Sequence, residues 1–315
     1  MRSYETSQPW PALSSMALWP TIETLQLWTQ IVGKVKLSQT PWLNHGWHVS
    51  LQVSARRLAT SLIPHEVVGF SMEFDFIAGA LVIRASDGGE RRIVLKSGTV
   101  ADFYAEMQGA LSALGVPCHI DLTPDEMAEA TPFPLDHRFR VYDPEVARRY
   151  WRALVQVDRV LNRFRTRFLG KCSPVHLFWG AFDLAVTRFS GRPAPLHPGG
   201  APNLPDAVTR EAYSHEVSSA GFWPGDPSRE PSFYAYAYPA PPGFEAAAVA
   251  PPARWDGGLG EFLLPYEAVR TAADPDAVLS AFLEATYEAA ADLGGWDRAA
   301  LECEEGRPRH PRWVG

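Results

Sequence analysis

Apolar residues recur every three or four positions in several long segments, which is the spacing along one face of an α-helix. The first predicted helix begins at Thr21, and its apolar face carries Leu25, Trp28, Val32 and Val35. The strongest pattern runs from about Asp143 to Phe168, with apolar steps at Tyr150, Leu154, Val157, Leu161, Phe164 and Phe168. A further long helix follows Asp274, a candidate N-cap that precedes Pro275.

Shorter segments are predicted to form strands. In the first half an alternating strand begins near Trp47, and further strands follow at "RLATSL", "FSMEFDF", "ALVIRA" and "RRIVLK". The turn 87–89 joins the last two as a hairpin. A helix capped by Thr99 follows, and "CHIDL" adds one more predicted strand. In the second half "SFYAYAYP" and "GEFLLPY" are also strand-like. Because the strands follow one another without intervening helices, the sheets are predicted to be mostly antiparallel.

The two halves follow a common order. Each has a helix ending in "IVGK" or "FLGK", an apolar strand that starts at His48 or His176, further strands and a long closing helix. The prediction is an α+β fold with two related halves and long flanking helices. The similarity between the halves has two explanations, an internal duplication or chance. The predicted units are an extended lead-in (1–20), an N-terminal half (21–122), a connection (123–142), a C-terminal half (143–297) with a Pro-rich loop region (189–260), and a loose polar tail (298–315).

Composition narrows the function classes. The 315 residues are 46% hydrophobic and carry a net charge of −7, which argues against a general nucleic-acid binder. The N-terminal segment lacks the apolar core of a signal peptide, and no stretch approaches the roughly 20 apolar residues that span a bilayer. The three cysteines form no CxxC pair, so neither a disulfide framework nor a zinc knuckle is indicated. We expect a cytoplasmic protein without a membrane anchor.

One apolar segment of the second half contains three ionisable residues. In "VHLFWGAFDLAVTRF" (175–189) these are His176, Asp183 and Arg188. A regular strand would put His176 and Arg188 on one face and Asp183 on the other, whereas a bulge at Gly180 would turn Asp183 toward His176. A buried charge needs a partner. The segment therefore predicts either a structural ion pair or a polar cluster in a pocket.

Two loop segments extend this candidate pocket. "HPGGAPNLPD" has glycines that permit a close backbone approach, and "EAYSHEVSSAGFWPG" places a Ser, a His and a Glu side by side. Neighbours in a strand point apart, so these three are not a catalytic triad as they stand. The predicted catalytic set is His176, Asp183, Arg188, His215 and Glu216. The predicted ligand-binding set is Phe178, Trp179, His197, Asn203, Ser214, Phe222 and Trp223.

Metal and cofactor signatures are weak or missing. His45 and His48 in "NHGWH" are the metal candidates, with His176, His215, Glu216 or Asp183 as completing ligands, but ordinary hydrogen-bonded histidines are the favoured interpretation. Cys172 is close to His176 in sequence, which would suit a nucleophile, but the favoured interpretation is a small buried thiol. The chain has no GxGxxG after a strand, no GxxxxGK[ST] and no GxSxG, so no cofactor is indicated.

Long segments of the chain resemble a bacterial family catalogued only as a domain of unknown function, DUF5996. The resemblance extends from about Trp19 to Trp296 and includes "NHGWHVSLQVSARRLATS", "RTRFLGKCSPVHLFWGAFDLAVTRFSGR", "HPGGAPNLPDAV", "EAYSHEVSSAGFWPG" and "FYAYAYP". It implies a cytosolic bacterial protein, and it implies no activity, cofactor or catalytic residue.

Three hypotheses for function follow. The first is an enzyme for a hydrolase-type reaction, with His215 or His176 as general base, Glu216 or Asp183 holding it, and Arg188 binding an anionic group. The second is a non-catalytic protein whose aromatic pocket binds an apolar or planar ligand. The third is an interaction protein that uses the basic face of the helix 143–168, where arginines oppose the apolar face: Arg148, Arg152, Arg159, Arg163 and Arg167. The alternative for that face is simple solvation.

Overall fold

The computed structural model describes residues 9–312, apart from the side chain of Ser15. Its helices are α1 (Ser15–Gln39), α2 (Val100–Ala113), α3 (Pro144–Arg165), α4 (Asp206–Ala212), α5 (Tyr266–Arg270), α6 (Pro275–Leu293) and α7 (Arg298–Leu301). The predicted caps Thr99 and Asp274 are confirmed, because they accept hydrogen bonds from first-turn amides of α2 and α6, and Asp143 caps α3 in the same way. Within these residues no helix is long and apolar enough to cross a bilayer.

Two six-stranded antiparallel sheets dominate the fold. The first contains β1 (Gln52–Val53), β2 (Arg57–Ala59), β3 (Ile63–His65), β4 (Val68–Asp75), β5 (Ala80–Ala85) and β6 (Glu90–Val94). A small pair is formed by β7 (Gly98–Thr99) and β8 (Phe139–Arg140). The second contains β9 (His176–Phe178), β10 (Asp183–Pro193), β11 (His215–Trp223), β12 (Ser232–Tyr238), β13 (Arg254–Asp256) and β14 (Glu261–Pro265), in the order β13-β14-β12-β11-β10-β9. The α+β class with antiparallel sheets is confirmed.

The two sheets meet at one edge and share one core. Leu51 and Leu177 exchange backbone hydrogen bonds of 2.8 and 2.9 Å across this junction. Helix α1 bridges the halves, because Gln26 donates to the carbonyl of Gly180 at 2.6 Å. A single hydrophobic cluster includes residues from both halves. Each half has an early helix, a six-stranded sheet and a late helix, and the internal duplication stays a prediction.

Several element boundaries differ from those predicted. Helix α1 begins at Ser15 instead of Thr21 and contains Pro20, so the extended lead-in is at most residues 1–14, of which 1–8 lie outside the described residues. The predicted strand near Trp47 is mostly a turn, with β1 limited to two residues. "CHIDL" forms no strand. Its Asp121 instead accepts a hydrogen bond from Lys34 on α1, so this segment serves charge pairing and not a sheet.

The predicted loose tail is attached to the fold as far as it is described. Leu301 accepts a backbone hydrogen bond from Leu169 at 2.7 Å, and Cys303 donates to Arg167 at 3.0 Å. The short helix α7 positions these contacts, and Arg298 pairs there with Asp292 and Glu302. The polar composition of the segment therefore reflects ion pairing on the surface of the fold.

Candidate functional site

A cavity of about 1120 Å³ lies over one face of the second sheet. Alternation along β10 sends Asp183, Ala185 and Thr187 toward this central cavity, while Leu184 and Val186 are buried on the opposite face, where α3 packs. The remaining walls come from α1, the turn before β1, the segment 121–126 and the segment 197–213. The strand pattern of the sequence thus supplies the floor, and loops supply the cover.

Asp183 and Tyr234 form the central polar contact of the cavity. The Tyr234 hydroxyl donates to the Asp183 carboxylate across the intervening strand β11. This contact requires Gly221 on β11, the register partner of Tyr234 and Ala185, because a Cβ there would clash with the Tyr234 hydroxyl. Burial raises the pKa of Asp183 to about 6, although the hydrogen bond from Tyr234 opposes that rise. Asp183 therefore changes charge close to neutral pH.

Two glutamates accompany Asp183. Burial raises the pKa of Glu126 to about 7, with further contributions from the negative charges of Asp183 and Asp125. Burial also raises the pKa of Glu261 to about 7, with contributions from Asp183 and Asp256. Glu126 has an exposed side chain, but it lines the cavity, whose walls restrict its solvation. The charge of Asp183 thus affects both glutamates.

A tyrosine network continues along the sheet. The rings of Tyr234 and Tyr236 stack with centroids 6.0 Å apart, and the Tyr236 and Tyr213 hydroxyls are 2.8 Å apart. Burial raises the pKa of Tyr236 to about 12, so its hydroxyl keeps its proton at neutral pH. Thr187 and Ser219 share a hydrogen bond of 2.8 Å on the same face. The floor therefore presents hydroxyl donors beside the carboxyl groups.

Aromatic side chains form much of the cavity wall. Trp179 is held by a hydrogen bond from its Nε1 to the carbonyl of Val49 at 3.0 Å. The ammonium group of Lys34 lies 5.9 Å from the Trp179 ring centroid and is 2.7 Å from Asp125. Other lining rings are Trp42, Trp47, Phe178, Phe189 and Trp223. These flat surfaces suit a ligand with an apolar or planar body.

Six residues of the predicted catalytic and ligand-binding sets line the central cavity: Asp183, Phe178, Trp179, His197, Asn203 and Trp223. His197 stacks on Tyr213 with ring centroids 4.7 Å apart. Asn203 donates to the carbonyl of Met127 at 2.7 Å, and the amide of Glu126 donates to the carbonyl of Pro202 at 2.7 Å. These contacts join the Pro-rich loop to the opposite wall, so the loop covers the cavity.

His176 and Arg188 lie away from the cavity lining. Residues 176–189 form a hairpin, so His176 and Asp183 share a face and Arg188 takes the other, which differs from the regular-strand prediction. His176 is 1% exposed, its Nδ1 is 2.9 Å from the Ser50 hydroxyl, and burial lowers its pKa to about 3. Arg188 is 1% exposed and its guanidinium lies 3.4 Å from the Phe164 ring centroid. Both have local partners.

The predicted Ser, His and Glu group also fails to converge on the cavity. His215 accepts or donates a hydrogen bond with Ser214 at 3.1 Å, and neither lines the cavity. Glu216 projects to the other face of β11, where Arg192 donates to it at 2.6 Å. Phe222 is buried on that same face against Phe233. The structure therefore does not assemble the histidine-based arrangement of the first hypothesis.

His45 and His48 are engaged separately. His45 lines the cavity, with Nδ1 2.9 Å from the carbonyl of Ala212 and Nε2 against the ammonium of Lys171. His48 accepts a hydrogen bond from the amide of Leu43 at 3.2 Å. No group of three His, Cys, Asp or Glu side chains within the described residues has the geometry of a metal site. Burial raises the pKa of Cys172, which disfavours the thiolate that a nucleophile needs.

Comparison with known proteins decides the family. A family model described as a family of unknown function, DUF5996, matches residues 10–303. The chain belongs to DUF5996. No curated protein and no solved structure matches it. The central cavity of this DUF5996 protein must therefore be interpreted from its own residues.

Several polar residues of the DUF5996 cavity were absent from the sequence-based set, among them Glu126, Glu261, Tyr234 and Tyr236. The sequence does contain a pattern that predicts the tyrosines, because "FYAYAY" repeats Tyr at every second position and thus places a row of hydroxyls on one face of a strand. Glu126 lies in a Pro-containing connection, and Glu261 starts an otherwise apolar strand. Their meeting with Asp183 depends on long-range packing, which no local pattern encodes.

Proposed function

We propose that this DUF5996 protein binds a small organic molecule in the central cavity. The observation that carries the proposal is the cavity itself, at about 1120 Å³, which slightly exceeds the usual 300–1,000 Å³ range of ligand pockets. Its walls combine tryptophan and phenylalanine rings with the carboxyl group of Asp183 and the hydroxyl of Tyr234. Ligand sites typically have this composition, with apolar walls and a few polar groups that fix orientation.

A cavity-filling variant tests this proposal. Ala185 lies on the floor of the cavity, so Ala185→Phe would occupy the space that a ligand needs, and Ala212→Phe would do so from another wall. Ala299→Phe places the same side chain at an exposed position on α7. We expect saturation-transfer NMR to detect fragments that bind the wild type and the Ala299 variant but bind neither cavity variant. Fragments that bind all four proteins equally, or none that bind the wild type, would contradict the proposal.

Acid–base chemistry on the bound molecule is a second candidate function. The observation in its favour is that Asp183, Glu126 and Glu261 have pKa values raised into the range of about 6 to 7, where a carboxyl group can both accept and donate a proton at neutral pH. The reaction class we propose is hydrolytic, with carboxyl groups in the roles that the sequence assigned to histidines. Turnover of 4-nitrophenyl esters and glycosides between pH 5 and 9 would reveal it. Activity that survives both Asp183→Asn and Glu126→Gln would exclude this mechanism.

The basic face of α3 supports a partner-binding role less well. Arg159 donates to Asp276 at 2.7 Å, and Arg163 and Arg167 pair with Glu305. These intramolecular pairs occupy side chains that an acidic partner would need. We also propose a cytosolic location, because all three cysteines are free thiols, as is usual in a reducing compartment.

A further inference from the structure

The charges that line the central cavity are unbalanced. Five carboxylates line it, and the cationic residues among the lining side chains are Lys34 and Arg229. Lys34 is already paired, at 2.7 Å from Asp125 and 3.1 Å from Asp121. Within residues 9–312, no lysine or arginine forms an ion pair with Asp183, Glu126 or Glu261. Three carboxyl groups therefore face the cavity without a cation of their own.

Hydrogen bonding compensates these carboxyl groups only in part. Asp183 receives the Tyr234 hydroxyl, which is a neutral donor. Arg229 lowers the pKa of Glu261 through its charge, but burial and Asp183 raise it more. Like charges brought together in a poorly solvated site destabilise one another. A positive charge placed among them would relieve this repulsion and gain attraction from each.

The aromatic walls are also suited to a cation. The protein places its own ammonium groups over cavity rings, since Lys34 lies 5.9 Å from the Trp179 centroid and Lys171 lies 5.6 Å from that of Trp47 and 4.9 Å from that of Phe189. The faces of such rings attract cations through their quadrupoles. The Lys171 contacts involve no carboxyl group of the cavity, and they support the same sign of ligand charge.

We propose that the ligand of this cavity is a small organic cation, an amine or quaternary ammonium compound with a planar or apolar body, whose nitrogen lies beside Asp183 and Glu126. The inference rests on the proposed function, because it specifies what the cavity binds. The body of the ligand contacts the tryptophan walls, and the Tyr234 hydroxyl keeps the Asp183 carboxylate oriented.

Other titratable groups face the same space and bear on how binding depends on pH. They are Lys34 with its partners Asp121 and Asp125, Lys171 beside His45, Arg229 near Glu261, and the histidines His45 and His197. Burial lowers the pKa of His45, which keeps its ring neutral at pH 7 and above. The carboxyl groups gain negative charge between pH 5 and 8, so affinity for a permanent cation rises over that interval.

An isosteric probe pair tests the inference. Phenyltrimethylammonium and tert-butylbenzene have the same shape and differ by one positive charge. In saturation-transfer NMR titrations at pH 8, we expect the wild type to bind the cation at least about ten-fold more tightly than the neutral probe. This preference falls several-fold at pH 5. Asp183→Asn and Glu126→Gln each bring the ratio of the two affinities toward one. Glu129→Gln, at an exposed position of the same segment as Glu126, retains the preference for the cation.

The possible outcomes separate the two proposals. Equal affinity for both probes at pH 8, or a preference that Asp183→Asn and Glu126→Gln leave unchanged, overturns the inference while the cavity remains a binding site. Failure of both probes to bind, or undiminished binding to Ala185→Phe, overturns the inference and the proposed function together. Far-ultraviolet circular dichroism establishes whether each variant is folded. If Asp183→Asn is not folded, Glu126→Gln alone tests the inference.

Discussion

Replacing Asp183 by asparagine is expected to stabilise the fold at alkaline pH. The pKa of Asp183 rises from an ordinary 3.8 to about 6 because burial disfavours the carboxylate. At 1.36 kcal/mol for each pKa unit, ionised Asp183 costs the folded state about 3 kcal/mol. Asparagine has nearly the same shape and can still accept the Tyr234 hydrogen bond. It carries no charge, so this cost disappears.

The sign of the effect sets the pH at which it is seen. Below pH 3.8 the carboxyl group is protonated in the folded and unfolded chains, and the charge costs nothing. As pH rises, the unfolded chain ionises first, so the wild type loses stability until pH exceeds about 6. The variant does not share this loss. We therefore expect its stability advantage to grow by about 2.5 kcal/mol between pH 4 and pH 8.

Urea unfolding followed by circular dichroism at several pH values measures this difference directly. Glu129→Gln removes one charge from an exposed position and should change stability by less than about 0.5 kcal/mol at every pH. The Asp183 variant should also lower the pKa values of Glu126 and Glu261, because the Asp183 charge raises both. A variant that is less stable than the wild type at pH 8 would refute the assignment of Asp183 as an uncompensated charge.

Three further predictions concern stability. The pKa of His176 is lowered from 6.5 to about 3, so the wild type should lose stability as pH falls below 6.5, by about 2.5 kcal/mol at pH 4.5. In urea unfolding at several pH values, His176→Asn should show a smaller loss of stability over the same pH range. Gly33→Ala should destabilise the fold by about 1–3 kcal/mol, because the added Cβ would clash with Trp179. Gly109→Ala has open space around the added Cβ and should stabilise the fold by about 0.5–1 kcal/mol, so thermal unfolding should give shifts of opposite sign for the two variants. Arg188→Ala should lower the free energy of unfolding by about 3 kcal/mol or more, and Arg188→Met should lower it by about half as much because the methionine side chain retains the packing against the Phe164 ring. Equal losses of stability in the two variants would contradict a stacking role for Arg188.

The fold was largely accessible from sequence because its signals are local. The residues Asp143 and Asp274 mark where α3 and α6 begin, period-two alternation marks β4 and β12, and a short apolar run marks β5. Errors occurred where packing overrides propensity. Helix α1 tolerates Pro20 because the flanking turns are held, with Thr24 donating to the carbonyls of Pro20 and Val141 at 2.9 and 2.8 Å.

The site was accessible only in part. Asp183 has a signal in the sequence because it is a charge within an apolar segment, and Phe178 and Trp179 belong to that same segment. The two other charged residues of that segment were indistinguishable from it by composition. Which of them faces a cavity depends on where the hairpin turns, at residues 179–182, and on which face of β10 the helices α3 and α6 cover. Periodicity gives the alternation along a strand but not the face that is covered.

The contrast between Arg188 and Asp183 locates the functional face of β10. Both are ionisable residues within the same strand, and burial disfavours the charged form of each. Arg188 has partners of opposite character to its charge, since it donates to the carbonyl of Phe164, lies 3.7 Å from Glu284 and contacts the Tyr287 ring, and its Nε has no hydrogen-bond partner among the described residues. Asp183 has two neutral donors, the Tyr234 hydroxyl and its own backbone amide, and its charge raises the pKa values of Glu126 and Glu261. An unrelieved charge persists in a fold only where something other than stability retains it, and a cationic ligand would supply the missing partner.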